Sequence, residues 1–500
     1  MNPPHAYGRD GAALSTVLPS WRREALRTTF WLVPTALVAV AVGLFALTFA
    51  IDLAAYHGQL TLPFWIRTGS ADAGRQVLIA IAAAIITVVG VVFSITIVAL
   101  TLASQQFGPR MMRNFVRDPG NQVTLGVFVA TFVYSVLALG SITASPKGDF
   151  VPHLSITVAE TLLLVDLVVL IYFIHHIAKS IQLPEVIAGI ASDLIRTIDA
   201  EFPEQHEEPA PVGAATGRSV SELLQAIEQR GADVSAVTSG YLQFVGYGRL
   251  VDVAMHTDSV IRLRHRPGHF LVEGQPLASV WPQGAASQVS EQLAKVHITG
   301  PHRTSMQDPV FPIDQLVEIA IRALSPAVND TFTALTCIDW LSAGLSRVSR
   351  RELVEGVYRD RFGRVRLIES DPSYPRLVNR AFDKIRQAAR GMPAVLIRLL
   401  TALGSIMQDS RSPEQRRVLL RQADMIMRNA EETVPDPNDL ADIRARFESV
   451  TGLSAPGTGE GQSGEDGDIA EASASDSDSQ LLTDNGQGGV SRAPHSTRNG

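Results

Sequence analysis

The sequence predicts an α-helical multi-pass membrane region of four transmembrane helices, followed by a cytoplasmic α+β domain with a small β-barrel-like unit and a helical C-terminal part. Three observations carry this. Four apolar runs lie within the first 180 positions. Beyond them the pattern changes to amphipathic helices and short alternating strands. Charged residues make up only 19% of the 500, and mean hydropathy is +0.14, whereas a soluble domain carries about 25% charge.

The first run, Phe30 to Ile51, has no charge. As a helix it is about 33 Å long, enough for a bilayer core of about 30 Å. The 29 residues ahead of it form an N-terminal cytoplasmic segment and suit a signal anchor. Val77 to Leu102 is the second run, long enough to tilt. Val123 to Ile142 is the third, and Leu154 to Ile174 the fourth. Arg22, Arg23, Arg27, Arg110, Arg113, Arg117 and Lys179 flank one side, against Arg67, Arg75 and Lys147 on the other. That bias places both termini in the cytoplasm of a bacterial inner membrane.

Polar residues inside these runs are the candidate functional positions. Thr87, Gly90, Ser94, Thr101 and Gln105 recur on one helical face. Ser94, Thr101 and Gln105 are candidates to line a pathway, while packing between helices is the alternative. Glu160 and Asp166 are intramembrane acids, which need a partner, a cavity or a proton path. They are six residues apart and do not share a face. For Asp166, a hydrogen bond to a Ser, Thr or Tyr of a neighbouring helix, such as Tyr134, is the structural alternative. His175 and His176 end the fourth span and point apart, against metal chelation. Arg110, Arg113 and Arg117 form a basic face suited to lipid headgroups, or simply set topology.

Residues 177–218 read as an amphipathic helix, breaking near Pro184, and a Pro/Glu/Gly/Ala-rich linker. Residues 219–300 form the β-rich unit. Tyr241–Val245 and Val260–Arg264 have strand composition, and Arg249–His256 is helical. Arg266-Pro267-Gly268 and Glu273-Gly274-Gln275-Pro276-Leu277 punctuate further short strands. The glycine-rich repeat is similar to lipoyl- and biotinyl-type hairpins, but no lysine lies between Gly231 and Ala294, so it is no carrier.

Residues 301–453 form a helical domain with one hairpin. A helix over Ile313–Leu324 ends at Ser325-Pro326, and Asn329 or Asp330 caps the next, Thr331–Leu345. Arg303 is placed to fix this corner through Asp308 or Asp330. Arg361-Phe362-Gly363-Arg364 reads as the turn of a hairpin over Tyr358–Ile368, and helices follow at 376–390 and 413–431.

The last fifty residues hold eight acids and two bases, a net −6 of the chain's −7. The Gly/Ser/Asp-rich tail from 454 to 500 cannot bury enough apolar surface to order itself. The acidity therefore says nothing about the partners of the body. Nothing points to nucleic acid, and the bilayer is the evident partner.

No Gly-Lys-Ser/Thr loop, His-Glu-x-x-His, Gly-x-Ser-x-Gly or paired CxxC occurs, and Cys337 is the single cysteine. No cofactor, metal or catalytic set is indicated. An enzyme would have to call on His302, Arg303, Asp308 and Asp330. The leading expectation is an oligomeric ion or small-solute channel or transporter gated by its cytoplasmic domain. The alternative is a non-conducting sensor or scaffold that binds a small ligand or a cytoplasmic protein.

Three motifs form a set: Ser94 with Gln105-Gln106-Phe107-Gly108-Pro109-Arg110, the Arg266 to Leu277 segment, and Ala323-Leu324-Ser325-Pro326-Ala327-Val328-Asn329-Asp330-Thr331-Phe332-Thr333-Ala334. Together, over residues 20–440, they resemble the bacterial predicted-membrane-protein family called domain of unknown function 2254. The family pattern often has proline where this chain has Thr331, a replaceable first helical position. The resemblance implies multi-pass topology and a shared cytoplasmic domain. It implies no reaction and no catalytic residue.

Overall fold

The computed structural model describes residues 31–61, 63, 66, 69–107, 118–143, 150–202, 218–351, 356–369 and 373–452. Side chains of 103–107 and 119 are not among them. The N-terminal segment, the tail from 454, and Arg110, Arg113 and Arg117 lie outside the described residues.

Four helices are long and apolar enough to cross a bilayer: α1 (Leu32–Tyr56), α2 (Ala71–Phe107), α3 (Pro119–Ser141) and α4 (His153–Ser180). Each covers nearly all of one of the four apolar runs and continues past it at one end or both. Their shared interior is built from Leu78, Ile85, Phe128, Tyr134, Ile156 and Phe173. Gly126 lets α1 and α3 close up, since a Cβ there would meet Leu37 at 2.6 Å and the Pro34 backbone at 3.1 Å. On their outer faces, large apolar side chains such as Val40, Ile97 and Val168 are exposed, as lipid contact requires.

After a break of two residues, α5 (Leu183–Glu201) begins, with Pro184 in its first turn. Proline suits that position because its missing N–H has no helical partner to lose. Then come α6 (Val220–Arg230), β1 (Ala232–Ser235), β2 (Gly240–Val245), α7 (Tyr247–His256), β3 (Val260–Leu263), β4 (Phe270–Leu271), β5 (Pro276–Trp281), α8 (Ala286–Val296) and β6 (His297–Gly300). The helical part follows with α9 (Val310–Ala323), α10 (Thr331–Ser349), the hairpin β7 (Val357–Arg359) and β8 (Val365–Ile368), α11 (Tyr374–Ala388), α12 (Pro393–Asp409), α13 (Pro413–Thr433) and α14 (Pro437–Gly452).

The expected barrel-like closure is not seen among the described strands. They form two open sheets, β1-β5-β3-β8-β7 and β4-β2-β6. The hairpin expected within the helical part joins the first sheet, with β8 parallel to β3 at Ile261 and Leu367. Alternation predicts strands but not which partner a strand chooses. Leu242, Ile261, Ala278, Val280 and Leu367 pack this unit against α7 and α8. A separate core of α5 and α9–α14 buries Ile190, Leu194, Leu341, Phe382, Leu399 and Ile426.

Candidate functional site

The interior of the four-helix block holds two buried carboxylates, set on different helices. Asp52, near the end of α1, is 3% exposed. Its Oδ1 accepts the Leu154 N–H at 2.8 Å, and its Oδ2 accepts the Ser155 N–H at 3.0 Å and the Ser155 hydroxyl at 2.8 Å. These are free first-turn amides of α4, whose own N-cap, Pro152, has no side chain to serve them. A carboxylate there also meets the positive end of the helix dipole. Thr48 extends the network: its Oγ1 lies 3.1 Å from Ser155 Oγ and 2.8 Å from the Tyr134 hydroxyl. Asp52 went unnoticed in the sequence because it directly follows the first apolar run. Its signal was Thr48 one turn earlier and no cation before Arg67.

Asp166 sits on the buried face of α4 with Ala159, Phe173 and Ile177, and is 2% exposed. The Thr131 hydroxyl of α3 donates to its Oδ1 at 3.2 Å. Its Oδ2 is buried with no hydrogen-bond partner among the described residues. The hydroxyl of Ser135, one turn beyond Thr131, is likewise buried and without a partner. The structural partner of Asp166 is therefore Thr131, not Tyr134, whose hydroxyl meets Thr48. Glu160 is only half-buried on another face.

The polar stripe on α2 does not join this interior. Ser94 and Thr101 are exposed, while Leu78, Ile81, Ile85, Val92 and Ala99 form the opposite, buried face. Thr87 and Thr101 donate to the Ala83 and Ile97 carbonyls one turn back, at 2.9 and 2.8 Å, which satisfies their hydroxyls without a neighbour. Gln105 lies in the helix, but its side chain is outside the described residues. The pathway candidates and the intramembrane acid thus occupy opposite sides of one protomer's wall. At the other end of the block, His176 Nε2 meets Asp118 Oδ2 at 2.5 Å. Asp118 also caps α3 through the Gly120 N–H, so His176 clamps α4 to the start of α3. Among the described residues no group of three His, Cys, Asp or Glu is placed to hold a metal.

The corner residues separate into two places. Arg303 donates to Asp308 Oδ2 from Nε (2.9 Å) and Nη2 (2.6 Å), and from Nη1 to Asp314 at 2.7 Å. Asp308 Oδ1 accepts the Val310 N–H at the start of α9, and Arg380 of α11 also binds Asp314. Asn329 and Asp330 lie past the far end of α9, about 21 Å away for its 14 residues. Asp330 caps α10 through the Thr333 N–H and hydroxyl, and Asn329 takes a left-handed φ of 51°. Arg303 therefore fixes Asp308 and Asp314, not Asp330. Gly268 packs so closely on Asp308 that a Cβ would meet Oδ2 at 2.1 Å. Its neighbour His269 accepts from Arg266 Nε at 3.3 Å. Burial, then the charges of Arg266, Arg376, His265 and Arg303, push His269 down to about 4. This group reads as a joint between the β-rich unit and the helices. His302 is exposed and contributes only its carbonyl, to Gln243.

The model of the predicted-membrane-protein family, domain of unknown function 2254, matches residues 27–405. The chain belongs to this family. An uncharacterized protein of Mycobacterium tuberculosis is 31% identical over 466 residues, covering 91% of this chain and 86% of its own length. An uncharacterized protein of Mycobacterium bovis matches to the same extent. No solved structure matches. Family membership and the four apolar helices make this a membrane protein, and what it can do chemically rests on the sites above. A buried carboxylate with one bare oxygen, on a helix packed against the one that carries the unpartnered Ser135 hydroxyl, can hold a proton or a small cation.

Proposed function

We propose that the protein moves protons or a small cation across the inner membrane, with Asp166 as the intramembrane exchange site and the cytoplasmic domain as its gate. The carrying observation is the bare, buried Oδ2 of Asp166. An ionised carboxylate at this depth costs at least about 2.5 kcal/mol. One hydroxyl donor offsets little of that, so a proton or cation is the natural companion.

The gating half rests on connectivity. Only Ile181 and Gln182 separate the helix that carries Asp166 from α5. Ile190, Leu194 and Ile198 of α5 are embedded in the helical core. Arg347 and Arg351 hold its C-terminal turn through Asp199, and Arg351 also donates to the Ile198 and Phe202 carbonyls. A shift of that core therefore reaches α4 with little slack. The outward Ser94–Thr101 stripe suits contact with a second copy. The excess of Lys and Arg on one side supports the cytoplasmic placement.

Liposomes with purified protein test this under an imposed potential or pH gradient. Proton or alkali-cation flux is expected, reduced at least tenfold by Asp166→Asn and retained by Ser94→Leu. A silent wild type under both gradients, or flux indifferent to Asp166→Asn, overturns it. Flux lost only in Ser94→Leu would move the path to the contact between copies. A second reading, a non-conducting membrane sensor, is supported by an arginine-lined cleft between α11 and α13.

A further inference from the structure

That cleft has a volume of about 270 Å³ and is lined by Arg386, Gln387, Arg390, Met425, Arg428 and Glu432. Three guanidinium groups face a single carboxylate in it. Elsewhere on the helical surface several arginines are matched to single acids, as Arg398 is with Asp339 and Arg444 with Glu431.

The pairing inside the cleft is incomplete. Arg390 meets Glu432 at 3.5 Å, with both side chains more than half exposed. Arg386 is held more deeply, its side chain 17% exposed, and its nearest acid, Asp383, stands 3.7 Å from Nη2. Asp383 is already used, because its Oδ1 accepts the Gln422 amide at 2.9 Å. The Nε of Arg386 is buried with no hydrogen-bond partner among the described residues. A buried donor left bare costs about 1–3 kcal/mol, more when charged. Asn429, from the opposite wall, donates to the Arg386 carbonyl at 2.8 Å and fixes the backbone from which that guanidinium projects. Arg428 has no ion pair among the described residues.

We propose that the cleft between α11 and α13 binds a small phosphate-bearing molecule clamped by Arg386, Arg390 and Arg428. A single arginine fork saturates a carboxylate, whereas a phosphoryl group presents three oxygens and accepts from several forks at once. Three guanidinium-bearing side chains lining one cleft, with a net excess of positive charge, therefore favour phosphate. At about 270 Å³ the volume falls just under the roughly 300 Å³ typical of drug-sized ligand sites, which suits a small molecule. A phosphate of five heavy atoms fills only part of it, leaving the Met425 side for the remainder of the molecule. The phosphate could come from a soluble metabolite or from a lipid headgroup, and the recognition chemistry is the same. The site stands independently of whether the membrane block conducts.

Full-length protein in zwitterionic nanodiscs is titrated calorimetrically with inorganic phosphate and with glycerol 3-phosphate. In a second arm the nanodiscs contain phosphatidic acid, whose retention is read by native mass spectrometry. Arg390→Gln/Arg428→Gln, both at exposed positions, is the main variant, and Arg386→Gln the deeper one; melting temperature monitors folding. Saturable binding of a soluble phosphate, weakened at least tenfold in the double variant, supports a soluble ligand. Retention of phosphatidic acid, lost in that variant while soluble phosphates register nothing, supports the same site with a lipid source. Wild type and folded double variant behaving alike in both arms, or wild type binding neither probe, overturns the proposal.

Discussion

Two buried carboxylates of the membrane block, one at the start of α4 and one midway along it, solve one problem differently. At Asp52 both carboxylate oxygens are occupied, by two amides and a hydroxyl from the start of α4. At Asp166 one oxygen has a single hydroxyl and the other has nothing. Both are nearly inaccessible, so burial alone does not separate them. What separates them is satisfaction. A carboxylate that completes a helix start is part of the scaffold, as Asp308 is with Arg303 and the Val310 N–H. One left half-paired is a cost that folding alone does not explain, and such costs gather where something binds.

The largest expected effect follows from that contrast. Asp52→Ala strips three donors of their acceptor, and at about 1 kcal/mol or more for each the loss should reach about 3 kcal/mol. Unfolding by sodium dodecyl sulfate in mixed micelles measures it. Asp52→Asn keeps one acceptor oxygen and should lose less. A loss under about 1 kcal/mol for the alanine variant would mean that water or lipid headgroups already serve the start of α4, and the contrast with Asp166 would collapse.

At Asp166 the same assay should show almost nothing. Asp166→Asn keeps an acceptor for Thr131 and removes a charge that is expensive to bury. Its stability should stay within about 1 kcal/mol of wild type, on the favourable side if Asp166 is ionised in the resting protein. Lost flux with unchanged stability is the signature of an exchange site. A destabilisation matching Asp52→Ala would instead make Asp166 a structural bond between α3 and α4.

The sequence carried some of this and could not carry the rest. Uninterrupted apolar runs announced α1 to α4, and Ser325-Pro326 with Asn329-Asp330 announced the α9–α10 corner, because these signals are local. Helical spacing put Ser94 and Thr101 on one face, but spacing fixes only relative angles. Whether that face turns inward depends on Leu78, Ile85 and Val92 opposite, which pack against α3 and α4. Asp52 and the first turn of α4 are over a hundred residues apart, and no local pattern links them. Nor did alternation reveal that the 357–368 hairpin extends the sheet of β3. Among the acids, Asp166 stood out for the cost of its position, and only the structure shows which of its oxygens is bare.

The smallest effect belongs to a group that is kept neutral rather than left bare. His269 lies among Arg266, Arg376, His265 and Arg303, with Asp308 beyond Gly268, and burial with these charges holds it near 4 instead of its ordinary 6.5. The unfolded chain therefore binds a proton at this residue before the folded chain does. Its contribution to stability is complete above about pH 6.5 and is lost as pH falls toward 4. Carboxylates titrate in part of that window too, so the useful measurement is a difference. Melting temperatures of wild type and His269→Gln between pH 7 and 4 should converge, because only wild type pays to keep this ring unprotonated. Parallel curves would mean that water reaches the ring and screens the surrounding arginines. The joint between the β-rich unit and the helices would then be open, with room for a response to ligands that the closed, cation-rimmed arrangement does not have.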